Sequence, residues 1–317
     1  MTLIPDEDSP ALLFEPEAFL VPPMDGFLRR LFGARWGIIL VSSPLDIPLE
    51  PVMDFLADYS LQMAYYSEFS VEIHDFNRLQ PEERRIRTLE DVLNEAKSAT
   101  ESGEPPSGAP TSGEHSVRHV PRNPELVFVP RFDSPDEVRE IVEATLRGSL
   151  VVAGITAEGS FPALKAFRAM VGSNHLVAAS LMGIIGLNAV GWICPECKVA
   201  VEYDLEDQDA YLLGVEDPTL RGFKGLGCEK CGDTGFISRV MIREGLEISE
   251  KLRTSILNET PLRRLRLEAK HEGMVTLLDG AWSLQKAGET TIDEVVRIAD
   301  VTDPGPEGDT CDPGWES

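Results

Sequence analysis

The sequence predicts an α/β fold with a mostly parallel sheet, and three observations point there. Residues 37–42 (GIILVS), 125–130 (ELVFVP) and 149–155 (SLVVAGI) are apolar runs without polar alternation, as strands buried on both faces require. Between the last two runs, SPDEVREIVEATLRG opens as a helix, with Ser134 and Glu137 as a capping box and Pro135 at the first helical position. Gly148 stops that helix, so strand, helix and strand form a βαβ unit with a right-handed crossover.

The other elements follow in chain order. Residues 1–23 are acidic and broken by PDEDSP and VPP, which predicts an irregular N-terminal arm. No basic region precedes an apolar run there, so no signal peptide is expected. DGFLRRLFGARW and PVMDFLADYSLQMAYY carry apolar residues at helical spacing, and FSVEIHDF alternates like a short strand. Residues 97–116 are rich in Ser, Gly, Pro, Glu and Thr and cannot bury enough apolar surface to offset ordering entropy. They are expected to form a disordered loop within the domain.

The apolar stretch 176–193, LVAASLMGIIGLNAVGWI, sits at the lower edge of transmembrane length with its 18 residues. Asn188, several small residues and the absence of flanking Lys or Arg point to a buried core helix instead. Beyond residue 240 the pattern is helical, through EISEKLRTSIL, TPLRRLRLEAKHEG, TLLDGAWSLQKAG and TIDEVVRIAD. Residues 304–317 read as an acidic tail. A net charge of −25 argues against nonspecific contact with nucleic acid or an anionic membrane, which relies on Lys and Arg displacing counterions. A cytoplasmic protein without membrane insertion is expected.

Four of the five cysteines fall in two pairs, CPEC (Cys194, Cys197) and CEKC (Cys228, Cys231), separated by 30 residues. Two such knuckles supply a tetrahedral set of four thiolates, the ligand set of a closed structural zinc site. Gly227 and Gly232 flank the second knuckle and permit its turn, while the spacer has to fold back. Disulfides are disfavoured by a cytoplasmic setting, and a redox role by the lack of a thioredoxin-like pattern. Cys311 stands alone in the tail.

The knuckles lead into GCEKCGDTGFISRVMIREGLEIS and then GMVTLLDGAWSLQKAGETTIDEVVRIADVTD. This ordered set resembles the C-terminal region of the type II secretion and type IV pilus assembly ATPases, and the resemblance extends over roughly residues 24–303. It implies a RecA-like P-loop NTPase core over 24–193, a zinc-binding subdomain over 194–240 and a C-terminal helical subdomain over 241–303. It also implies a motor that hydrolyses ATP as a hexamer, and that part can be checked residue by residue.

A phosphate loop of this type is G-x-x-x-x-G-K-[ST], in which backbone N–H groups wrap the phosphates, Lys meets them and the hydroxyl holds Mg²⁺. In register, Ser43 stands for the first glycine, Pro48 for the second, Leu49 for the lysine and Glu50 for the hydroxyl residue. Pro48 removes a donor, Leu49 removes the cation, and Asp46 and Glu50 add negative charge. PRFDS puts Arg131 where the family's Walker B glutamate stands and Asp133 where it has an arginine. Thr156 replaces the histidine-box residue, and of an acidic VEDP segment only Glu72 is kept.

The fold-specifying residues are kept while the chemistry-specifying ones are replaced. The expectation is therefore a pseudo-ATPase that holds structural Zn²⁺, binds no ATP or Mg²⁺, and works through protein contacts. Its expected partners belong to a secretion or pilus assembly machine at the inner-membrane platform, a paralogous ATPase among them, and a homo-oligomer stays open. The alternatives are an ATPase with an atypical nucleotide site and an unrelated zinc-binding adaptor.

Overall fold

The computed structural model describes residues 2–4, 12–14, 16–20, 22–34, 36–62, 71–73 and 126–302. The strands in chain order are β1 (Thr2–Ile4), β2 (Leu12–Phe14), β3 (Gly37–Ser43), β4 (Val71–Ile73), β5 (Leu126–Phe132) and β6 (Leu150–Thr156). They continue with β7 (Leu181–Ile193), β8 (Lys198–Asp204), β9 (Thr219–Gly225) and β10 (Phe236–Glu247). All but β8 and β9 build one sheet, ordered β1-β2-β10-β7-β3-β6-β5-β4. From β7 to β4 every pairing is parallel, whereas β10 runs antiparallel to β7.

Helices cover both faces of the parallel part, which is why β3 and β6 read as unbroken apolar runs. One face packs against α3 (Pro135–Leu146), α4 (Ser160–Val171) and α5 (Asn174–Ser180), through Ile141, Phe161 and Phe167. The other face packs against α1 (Met24–Phe32) and α2 (Glu50–Gln62), through Leu28, Met53 and Leu56. The expected capping box on α3 is present, with Glu137 N donating to Ser134 Oγ and the Glu137 carboxylate accepting from Ser134 N.

Between the two cysteine pairs lie the β8–β9 hairpin and α6 (Asp207–Leu213). The helical end consists of α7 (Glu250–Leu257), α8 (Leu262–His271), α9 (Leu277–Lys286) and α10 (Ile292–Thr302). The last two close a third core over β7 and β10 through Leu277, Val295 and Ile298.

Two expectations are corrected. Residues 176–193 are not one core helix, because α5 ends at Ser180 and Leu181–Ile193 is the 13-residue strand β7. Strand β7 is covered on both faces and paired on both edges, so it lacks the alternation that would mark it as a strand, and its three glycines disfavour a helix. The N-terminal arm is not irregular throughout either. Its apolar triplets TLI and LLF pair as an antiparallel hairpin, and β2 joins β10 at Arg239 and Val240. Strand β10 crosses the expected boundary at residue 240, so the zinc-type knuckles and the helical end meet through the main sheet. The disordered loop expected at 97–116 and the tail at 304–317 lie outside the described residues.

Candidate functional site

The carboxyl ends of β3, β6 and β5 form one edge of the parallel sheet, the usual place for a ligand crevice in such folds. Strand β3 leads there into the loop Ser43–Glu50 and on into α2. The loop folds onto itself. Ile47 N donates to Pro44 O at 3.2 Å, and Ser43 Oγ donates to Ile47 O at 3.1 Å.

Ile47 is 0% exposed and Leu49 2%, and both belong to the core under α2. The residue at the lysine position thus points into the protein and fills it. Pro48 is half-buried between them, while Asp46 reaches outward to pair with Arg239 on β10 at 2.7 Å. Glu50 is exposed at the first turn of α2.

Arg131 owes its direction to Pro130. A proline cannot donate to a sheet ladder and is tolerated there at a bulge. The β5–β6 register shifts between Val129 and Phe132, bracketing that proline. Gly154 on β6 makes the irregularity possible, since a Cβ there would meet Pro130 O at 1.9 Å and Leu49 Cδ1 at 2.8 Å. The bulge sends Arg131 over the strand ends, where Nη1 donates to Thr156 Oγ1 at 2.5 Å and Nη2 to Ser43 Oγ at 3.2 Å. Ser43, Thr156 and Arg131, from the ends of three strands, therefore meet at one place. Asp133 stays exposed beside the α3 cap. The backbone of Glu72 pairs with Val127 in β4.

These residues do not fit a Mg-nucleotide in the manner of a phosphate loop. Backbone donors are replaced by Pro48 and a self-bonded turn, and no lysine faces the crevice from this loop. Arg131 brings a cation to the strand ends, a placement that the sequence register alone does not give. The signal was Pro130 within an apolar strand, which marks a bulge and hence a re-aimed neighbour.

The four cysteines do converge. Cys194 directly follows β7, and its backbone N–H donates to Gly235 O at 2.9 Å. The β8–β9 hairpin brings the chain back, with Leu226 N donating to Cys197 O at 3.1 Å. The Sγ atoms of Cys194 and Cys228 lie 3.8 Å apart, those of Cys197 and Cys231 3.9 Å, and those of Cys228 and Cys231 3.8 Å. All four sulfurs are within 4.8 Å of one another.

Tetrahedral zinc with Zn–S bonds of about 2.3 Å places its sulfurs about 3.8 Å apart, so the cluster can hold such an ion. Backbone donors already face the sulfur of Cys231, from Cys228 N and Gly235 N at 3.3 Å each. Burial raises that thiol, but these N–H groups outweigh it and bring it to about 7. Burial pushes Cys197 up to about 11. Lys230 bridges to Glu196 at 2.6 Å, tying one knuckle to the other.

Among the described residues no helix is long and apolar enough to cross a membrane. In a comparison with solved structures, the fold matches the pilus retraction motor PilT with bound ADP at a TM-score of 0.54 and 13% identity, covering 90% of this chain and 67% of that one. It also matches the Legionella pneumophila ATPase DotB at 0.52 and 12%, covering 89% and 64%.

Among curated proteins, the chain is 25% identical over 235 residues to the type IV pilus assembly ATPase PilB of Thermus thermophilus, covering 73% of this chain and 26% of that one. It is 25% identical over 274 residues to the type II secretion system ATPase E of Vibrio cholerae, covering 85% and 50%. The chain thus spans between a quarter and a half of the length of these two relatives. A family model described as Type II/IV secretion system protein matches residues 75–297, well over half of the sequence, and the chain belongs to that family.

Proposed function

We propose that this chain is a catalytically inactive member of the family, a pseudo-ATPase that acts as a structural or regulatory subunit through protein contacts. The observation that carries this reading is the filled loop. Leu49 occupies the core in place of a phosphate-binding lysine, and Ser43 is already bonded to Ile47 and Arg131. Glu50 adds a carboxylate at the first turn of α2, where phosphates would approach, and phosphoryl transfer depends on cations and Mg²⁺ placed there.

A structural Zn²⁺ held by Cys194, Cys197, Cys228 and Cys231 fits this role, because four thiolates leave no open position for chemistry. Its work is to fasten the β8–β9 hairpin to the ends of β7 and β10. By analogy with its relatives, the partners are proteins of a secretion or pilus assembly machine, including a paralogous ATPase, at the cytoplasmic side of the inner-membrane platform.

The test is calorimetric titration of the zinc-loaded chain with Mg-ATP, alongside a phosphate-release assay. No heat of binding and no release are expected. Micromolar affinity would overturn the reading and favour a second one, an atypical nucleotide site, which rests on the Arg131 cation at the strand ends. Arg131→Ala then separates the two, because only a guanidinium-based site would lose affinity.

A further inference from the structure

The face formed by α4, α5, α7 and α8 differs from the rest of this acidic chain. Residues 250–271, from the start of α7 to the end of α8, hold six Lys or Arg against three Glu, and α4 contributes Lys165 and Arg168 with no acidic residue in its span. The four helices are one surface: Arg266 of α8 lies over the Phe161 ring of α4 at 5.1 Å, and Ser255 of α7 donates to Glu268 of α8 at 2.7 Å.

Several cations elsewhere are neutralised by close carboxylates, as in Arg30 with Glu247, Arg239 with Asp46 and Lys230 with Glu196, and on this face Arg253 pairs with Glu250 and Arg264 with Glu268. Among the described residues, Lys165, Arg263 and Lys270 make no ion pair. Exposed Arg263, Leu267 and Lys270 recur at spacings of four and three, so they share one outward stripe of α8.

Beside that stripe runs a groove of about 610 Å³ between the α4–α5 turn and the α7–α8 turn. Lys165, Arg168 and His175 line it together with Leu257 and Leu262. The groove's carboxylate, Glu259, is held by Asn174 at 3.1 Å, and Asn174 is held in turn by Arg168 at 3.0 Å.

We propose that this face docks an acidic, leucine-bearing segment of a partner protein, whose carboxylates meet Lys165, Arg263 and Lys270 while its apolar residues rest on Leu257 and Leu267. Leu257 is 39% exposed and Leu267 53%, and an apolar anchor between cations suits a peptide better than a phosphate backbone. Long polyanions also meet the field of the whole chain, at −25, whereas a short acidic segment feels mainly the local patch. The inference is independent of whether the strand-end site binds nucleotide.

Fluorescence anisotropy of the full zinc-loaded chain with a labelled peptide of repeated Glu-Glu-Leu-Leu blocks tests it. A Lys-Lys-Leu-Leu peptide, single-stranded DNA and phosphatidylglycerol vesicles serve as competing probes. The expected result is salt-sensitive binding of the acidic peptide, weakened about tenfold by Lys165→Glu with Lys270→Glu and unchanged by Lys286→Glu. Both reversed residues are exposed, and the milder Lys270→Gln should weaken binding in the same direction. Equal binding of the two peptides, indifference to the charge reversal, or tighter binding of DNA or vesicles through the same residues would each overturn the proposal.

Discussion

Arg131 reaches past β6 from the end of β5 and donates to Ser43 at the end of β3, at 3.2 Å. One guanidinium, also bonded to Thr156, thereby ties three strand ends that a nucleotide would bridge in an ordinary phosphate-loop protein. Arg131→Ala should lower stability by about 1 to 2 kcal/mol, the range for charge-assisted bonds at a partly exposed site. Arg131→Lys should recover less than half, because a single ammonium nitrogen replaces the two fixed nitrogens that reach Thr156 and Ser43 separately. Urea denaturation measures both, and an alanine variant as stable as the parent would mean that the tie contributes nothing.

Leu49 supplies the second expectation. At 2% exposure it packs under α2 and against Gly154, so Leu49→Ala should cost about 2 to 4 kcal/mol. Restoring the family residue with Leu49→Lys should cost at least as much, since it buries an ammonium without a partner, and should restore no ATP binding. Thermal melts and calorimetry on the two variants test this. A Leu49→Lys protein of parental stability would show that the side chain can turn out to the crevice.

How legible this was in the sequence depends on what decided each feature. Strands β3 and β6 and helix α3 were readable, because burial on two faces and a capping box leave local marks. Strand β7 was not. Its apolar run carries no period, and only its place between β3 and β10 makes it a strand. The triplets at Thr2–Ile4 and Leu12–Phe14 are too short for any pattern, and each is defined by its partner strand. The four cysteines were readable from spacing alone. For Leu49 and Arg131 the register revealed the lost chemistry, but the plug and the guanidinium tie depend on a bulge at Pro130 that brings distant residues together.

Buried Glu244 makes a third case. Its carboxylate accepts from Ser160 N at 2.7 Å and from Leu277 N at 3.0 Å, the first residues of α4 and α9. Two helix amino ends, one from the parallel core and one from the helical end, thus share one anion. Glu244→Gln keeps the shape but presents an amide to these donors, and it should lose about 2 to 4 kcal/mol. The loss should come with faster hydrogen exchange in both α4 and α9. Exchange confined to one helix would contradict the shared role.

The capping carboxylate of α3 gives a pH dependence. Backbone N–H donation from Asp133 holds the Glu137 carboxyl below its usual 4.5, with further help from Ser134. A carboxyl depressed by folding stabilises the protein above its unfolded value, and that stability is lost as pH falls through the lower folded value. Glu137→Gln keeps an oxygen that can accept from Ser134 N but loses the charge, so it should be less stable than the parent at pH 7 by about 0.3 to 1 kcal/mol, the size of a carboxylate at a helix amino end. The two melting curves should begin to converge below pH 4.5 and meet once the pH passes the lower folded value. A gap that persists at low pH would assign the difference to something other than ionisation.

The four-cysteine cluster makes the last expectation. Three of its sulfur separations, 3.8, 3.9 and 3.8 Å, match the edge of a zinc tetrahedron, so metal analysis should find about one zinc per chain. Cys197→Ser and Cys231→Ser should each reduce this to well below half, because a missing thiolate opens the shell. Chelation should release the β8–β9 hairpin first, since its return at Leu226 is bonded to Cys197 O and its path on to β10 runs through Cys228 and Cys231. Hydrogen exchange should accordingly rise across residues 194–235 while β3 and β6 stay protected. Retained protection in the hairpin after complete metal removal would show that its packing against α9 and α10 suffices to hold it.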